Sequence, residues 1–196
     1  SREGDDLYEA AGHMLEQVDR GEADAVIGFT FRPCPEDKGR RHTDAVTIPY
    51  RGMMVSKYYA RCQRNPFMPY VMIHEMVHLL GGVHVYDKSL MSPVFADTIS
   101  LVLDRLNMQI VKITRDMDFQ QGYASLSEEN LERLAGLYQR AVVAGNHEPV
   151  VLNELGAMYM TQGYYDRAKT VLNHALKTDS AFTQVWLRLA ECGVRT

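Results

Sequence analysis

The stretch His74-Glu75-Met76-Val77-His78-Leu79-Leu80-Gly81-Gly82-Val83-His84 decides how the rest of this chain is read. On a helix, residues i and i+4 lie on one face, so His74 and His78 can aim two imidazole nitrogens at one point. Zinc takes imidazole at about 2.0–2.1 Å in a tetrahedron, and a catalytic site leaves one corner for water. Glu75, next to the first histidine, can reach that water as a general base. Gly81 can stop the helix by adopting a positive φ, as helix C-termini commonly do. The chain then turns back and delivers His84 as a third imidazole.

HExxH alone is a weak signal, because His and Glu are common on helix faces. Here a third His stands at the spacing that a helix followed by a turn requires, with glycine at the break. A second element, Ser89-Leu90-Met91-Ser92-Pro93, follows, with Met91 seven positions after His84. HExxHxxGxxH followed by a Met-turn is the metzincin signature. The chain resembles the metzincin clan of zinc endopeptidases over about residues 5–113, and its short spacing and Leu-Met-Ser-Pro turn look most like the matrixin branch or its compact prokaryotic relatives.

That resemblance implies zinc held by His74, His78 and His84, Glu75 as general base, and Met91 as an apolar floor beneath the metal. It implies amide hydrolysis in which the metal lowers the pKa of a water and polarises the scissile carbonyl. Glu75 would take the proton from the water and pass it to the leaving amine. Val94 and Phe95, just after the turn, would form a wall of the pocket for the substrate side chain that follows the scissile bond. The chain also departs from the family. His42-x-Asp44 begins the pattern of a matrixin structural zinc site, but no further His precedes His74, so both are read as loop residues. Val85 stands where matrixins often have Ser. Pro93 occupies the place of a Tyr that contacts the metal in some metzincins, and Tyr86 nearby is expected to pack.

Composition is consistent with an ordinary globular protein: 196 residues, 46% apolar, 23% charged, net charge −4. No basic patch points to nucleic acid, and no apolar run reaches the length of a membrane span. Residue 1 is Ser, with no signal peptide behind it. The expected setting is secreted, periplasmic or cell-envelope. Cys34 and Cys62 could form a disulfide, leaving Cys192 over; three reduced thiols is the other reading. Arg32 to Asp37 has some likeness to the cysteine-switch segment of matrixin pro-peptides, but its order and its place in the chain are wrong.

Elsewhere the elements follow local signals. Asp5 and Asp6 offer N-caps to a helix with Leu7, Ala11, Leu15 and Val18 at helical spacing, and Gly21 a stop. Ala25–Phe31 reads as a buried strand, and Ala45–Ile48 and Met53–Ser56 as two more. By resemblance, one of these is the edge strand above the cleft, to which an extended substrate adds by main-chain hydrogen bonds. Pro66 and Pro69 suit the first turn of the active-site helix. Ile99, Val102, Leu103, Leu106, Ile110 and Ile113 form a later helical stripe.

Residues Phe119–Ser127 read as a linker, and Ser127 as the cap of a helix with Leu131, Leu134, Leu137, Tyr138 and Ala141. An internal repeat at a 34-residue offset then aligns Leu152 with Trp186, Leu155 with Leu189 and Gly156 with Ala190. With Tyr159, Gly163, Ala168, Leu172 and Ala175 in place, residues 149–182 resemble a tetratricopeptide repeat, and 183–196 begin another. Trp186 is expected to be buried, and His147 and His174 to be surface or packing residues. One and a half repeats need neighbours to cover their apolar faces, so the expectation is either that the chain is cut from a longer protein or that the tail docks on helix 127–144 and the peptidase domain.

The expectation is therefore an α+β chain: a metzincin-like zinc peptidase domain over 1–118, with a small twisted sheet, an active-site helix and a C-terminal helix, then an all-α repeat segment over 119–196. The function expected is a zinc-dependent endopeptidase acting on protein or peptide substrates, its repeat docking a protein partner. The alternative is a non-catalytic or latent zinc-binding adaptor whose helical repeat binds a protein partner.

Overall fold

The computed structural model describes residues 5–19, 21, 25–32, 45–59, 68–93 and 100–194. The fold is α+β, and by packing the chain divides into two compact units, Ser1–Gly82 with Tyr86–Asn107, and Val83–Val85 with Met108–Thr196.

The first unit is built on a three-stranded sheet: β1 (Val26–Arg32), β2 (Ala45–Ile48) and β3 (Met53–Tyr59), in the order β1-β3-β2. β1 runs parallel to β3, and β2 antiparallel, with Val46 opposite Val55 and Thr47 opposite Met54. The central strand is the most deeply buried, with Met53, Met54, Val55 and Ser56 all inside. Side chains alternate across a sheet. Val46, Val55 and the partly buried Ile48 pack against Leu7 and Ala11 of α1 (Asp5–Gln17). Thr47, one position out of phase, reaches α2 (Met68–Leu79) instead.

β1 departs from expectation. It is an edge strand among the described residues, and Ile27 and Phe29 on one of its faces are 37% and 50% exposed, so it is not buried on both sides. Its continuous apolar run could not distinguish the two cases. In α1, Leu7 and Ala11 are fully buried, while Leu15 is partly exposed and Val18 lies past the last helical residue. Asp5 and Asp6 are the first two residues of α1 itself, not caps ahead of it.

α2 ends in a Schellman motif. Gly81 N–H donates to His78 O at 2.8 Å and Gly82 N–H to Val77 O at 2.9 Å, with Gly81 at φ 79°. A Cβ on Gly81 would fall on the ring of buried Tyr50, so this turn admits only glycine. Pro69 is the second residue of α2, and Pro66 lies outside the described residues. α3 (Arg105–Thr114) starts later than its apolar stripe suggests. The Asp104 carboxylate accepts from Asn107 N–H at 3.0 Å, and Val102, whose carbonyl accepts Leu90 N–H, is 68% exposed. A capping aspartate sets this boundary.

In the second unit, Ser127 caps α4 (Glu128–Val143), accepting from Asn130 N–H. The expected stripe of α4, Leu131 to Ala141, is buried. α5 (Pro149–Thr161) is buried at every position from Val151 to Tyr159, because α4, α6 (Tyr165–Thr178), α7 (Thr183–Val194) and the 3-10 turn Gly122–Ser125 all pack on it. A helix buried on all sides is a core helix, and its buried Glu154 is satisfied by Tyr123 Oη and Asn153 Nδ2. Gly156 lies against Leu172, where a Cβ would come within 2.7 Å of Leu172 Cδ2, so small size brings α5 and α6 together.

Trp186 corrects its expectation: it is 54% exposed, although its repeat partner Leu152 is fully buried. Among the described residues no helix follows α7 to cover that face. The indole Nε1–H donates to Ser180 O. No helix among the described residues is long and apolar enough to cross a membrane.

Candidate metal centre

His74 and His78 are one turn apart on α2, and His84 follows the Schellman turn. Their ligand atoms lie within 4.8 Å of one another, so the three can hold a metal ion. Nε2 of His74 and Nε2 of His78 are 3.0 Å apart. Two nitrogens on one tetrahedral ion at about 2.0–2.1 Å would be separated by roughly 3.3–3.4 Å.

Each imidazole is oriented through its other nitrogen. His74 Nδ1 lies 2.8 Å from Leu90 O, His78 Nδ1 2.6 Å from Gly82 O, and His84 Nδ1 2.6 Å from Glu148 Oε1. Such acceptors put the proton on Nδ1 and the lone pair on Nε2. Two lone pairs facing each other at 3.0 Å repel unless a cation lies between them. Three imidazole nitrogens so arranged can hold a metal ion, and imidazole suits zinc, copper, iron and nickel alike.

Local folding explains each orientation. Leu90 belongs to the turn carrying Met91, and Met91 is fully buried. Ser89 braces that turn: its Oγ accepts Met91 N–H at 3.1 Å and donates to Asp104 Oδ2 at 2.8 Å. The carbonyl of Gly82 is set by the helix stop. Tyr86, expected to pack, is 70% exposed, because Tyr86, Asp87 and Lys88 bend through the surface.

Glu75 is 8% exposed, next to His74 on α2. Its carboxylate accepts the hydroxyl of Thr47 at 2.5 Å, and its main-chain carbonyl is 3.3 Å from the same oxygen. Val94 and Phe95 lie outside the described residues, as do His42, Asp44, Cys34 and Cys62. Cys192 is buried in α7. His147 is exposed and meets His174 edge to face at 4.8 Å, away from the three histidines in sequence.

Three contributors were invisible in the sequence motif: Thr47, Asn146 and Glu148. Thr47 is 28 positions from Glu75, and Glu148 is 64 from His84. No local spacing rule covers such separations. The one available hint was a glutamate immediately before the proline of a helix start, a position where Ser, Thr, Asp or Asn is the normal cap.

A family model of the tetratricopeptide repeat matches residues 149–192. No curated protein matches the chain. No solved structure matches it either. The matched segment covers α5, α6 and nearly all of α7.

Proposed function

We propose that this chain is a zinc-dependent endopeptidase of metzincin type, with a helical repeat that docks a protein partner. The observation that carries the reading is the set of three imidazoles, each with Nδ1 on an acceptor, beside a buried glutamate at the HExxH position.

His74, His78 and His84 would hold the ion. When bound, zinc supplies Lewis acidity, lowering the pKa of a water and polarising a carbonyl. Glu75 takes up a proton from the attacking water and delivers it to the departing amine. Thr47 restrains the Glu75 carboxylate by its hydrogen bond. β2 is a sheet edge among the described residues, so an extended peptide can pair with it by main-chain hydrogen bonds, the strand-addition mode of recognition. Its order in the sheet, antiparallel beside the central strand and directly before it in the chain, supports the role assigned to an edge strand above the cleft. The repeat match at 149–192 supports docking of a protein, since repeats of this kind present helical surfaces to partners.

The test pairs metal analysis with digestion of a peptide library, with and without chelator, on the wild type and Glu75→Ala. Stoichiometric zinc, chelator-sensitive cleavage and loss of cleavage in a zinc-replete Glu75→Ala variant are expected. Zinc binding with no cleavage of any peptide would refute the peptidase and favour the adaptor reading. Cleavage retained in Glu75→Ala would remove Glu75 from the mechanism.

A further inference from the structure

We propose that Glu148, at the start of the first repeat helix, is a positioning residue of the metal centre, acting through His84. The inference rests on the reading of the three histidines as metal ligands. It assigns the orientation of the third ligand to the turn between α4 and α5.

Within the second unit, two hydrogen bonds tie this turn to His84, and a third joins the two residues that make them. Glu148 Oε1 lies 2.6 Å from His84 Nδ1. Asn146 Nδ2 donates to His84 O at 2.9 Å, and Asn146 Oδ1 accepts Glu148 N–H at 3.1 Å. Asn146 is 2% exposed, and its own N–H donates to Ala141 O at the end of α4. A single buried amide therefore fixes both the backbone of His84 and the backbone of the residue that grips its ring. The turn leading here passes through Gly145 at φ 101°.

Helix capping does not account for Glu148. It occupies the N-cap position of α5, yet its side chain makes no capping hydrogen bond. Glutamate is not among the residues that cap well, and Pro149 at N1 needs no donor satisfied. The carboxylate is instead committed to an imidazole. A carboxylate on the second nitrogen of a metal-binding histidine fixes the tautomer, aims the ring and raises the basicity of the ligating nitrogen, and its removal typically costs 10–100-fold in metal affinity. His74 and His78 are held by main-chain carbonyls; His84 has an ionisable side-chain partner.

The test measures zinc affinity of the full chain by chelator competition, and records the visible spectrum of the cobalt-substituted protein. Glu148→Ala is expected to bind zinc about 10–100-fold more weakly with a shifted cobalt spectrum, while its metal-free far-UV signal and unfolding midpoint match the wild type. Glu148→Gln keeps an acceptor oxygen without the charge, so it should lose only about 3–10-fold. In a His84→Ala background, Glu148→Ala should have no further effect, since its influence passes through that ring. Zinc affinity within about twofold of wild type in both variants, or an equal loss with and without His84, overturns the proposal. Where Glu148→Ala fails to fold, the isosteric Glu148→Gln decides: a measurable loss and spectral shift support the proposal, wild-type values refute it. A wild type that binds no zinc overturns the metal-centre reading itself. A wild type that binds zinc while the Glu148 variants match it overturns only the role of Glu148.

Discussion

Thr47 on β2 donates its hydroxyl to the carboxylate of Glu75 on α2 at 2.5 Å. The strand expected to receive substrate and the residue expected to move the proton are thereby directly linked. Thr47→Val removes the donor while preserving shape and β-propensity. The expected result is a fall in kcat of roughly tenfold, less than the roughly 10²–10⁴-fold that a positioned acid–base group itself contributes, because Thr47 only restrains that group. Zinc content should be unchanged, as should KM for a peptide long enough to pair with the strand. Thr47→Ser should recover most of the rate. A drop confined to KM would place the role of Thr47 in peptide pairing and not in holding the base.

Metal should stabilise the folded chain, because ligands that bind only the native state add RT ln(1 + [L]/Kd). At free zinc 100-fold above Kd this is about 2.7 kcal/mol, or roughly 5–10 °C in Tm for a chain of this size. Thermal unfolding with zinc and with chelator measures it. His74→Ala should abolish the shift, because it removes one of the three imidazoles whose ligand atoms lie within 4.8 Å of one another. An equal shift in that variant would show that zinc binds elsewhere.

Gly81→Ala should cost about 2–4 kcal/mol, combining a left-handed backbone with forced overpacking. The residue sits at φ 79°, and a Cβ there would fall within 1.8 Å of the Tyr50 hydroxyl oxygen. Tyr50 cannot retreat easily, being 4% exposed and itself at positive φ, with its N–H on Leu79 O. Denaturant unfolding of the zinc-free protein isolates the packing effect from metal binding. A change under about 0.5 kcal/mol, the range of ordinary surface substitutions, would mean that the turn rearranges freely.

Much of this architecture was legible because its determinants are local. The helix of His74 and His78, its stop at Gly81, the strand 45–48, the start of the next strand at Met53, the Ser127 cap and the repeat from 149 onward all rest on short-range periodicity, caps or offsets. What escaped depended on contacts between distant segments. Phe29 and Trp186 carry the composition of buried residues, but burial depends on whether another element covers the face, and no periodicity encodes that. The start of α3 moved to Arg105 because Asp104 caps there, overriding an apolar stripe that began earlier. Thr47 and Glu148 act on Glu75 and His84 across long stretches of chain, and neither belongs to the motif that identified the histidines.

The contact between Gly156 and Leu172 makes a prediction about sign. Alanine is normally better than glycine inside a helix by up to about 1 kcal/mol. Here a Cβ on residue 156 would stand 2.7 Å from Leu172 Cδ2 and 2.8 Å from Cγ, and Leu172 is fully buried with no room to withdraw. Gly156→Ala should therefore destabilise the helical unit, by about 1–3 kcal/mol as overpacking does. Leu172→Ala alone should cost about 2–5 kcal/mol through the cavity it leaves. In the double variant the new methyl enters that space, so the second substitution should be neutral or stabilising, giving a coupling of about 1–3 kcal/mol. Urea unfolding of the four proteins, followed by far-UV circular dichroism, closes the cycle. Additive costs would show that α5 and α6 do not meet at these two residues.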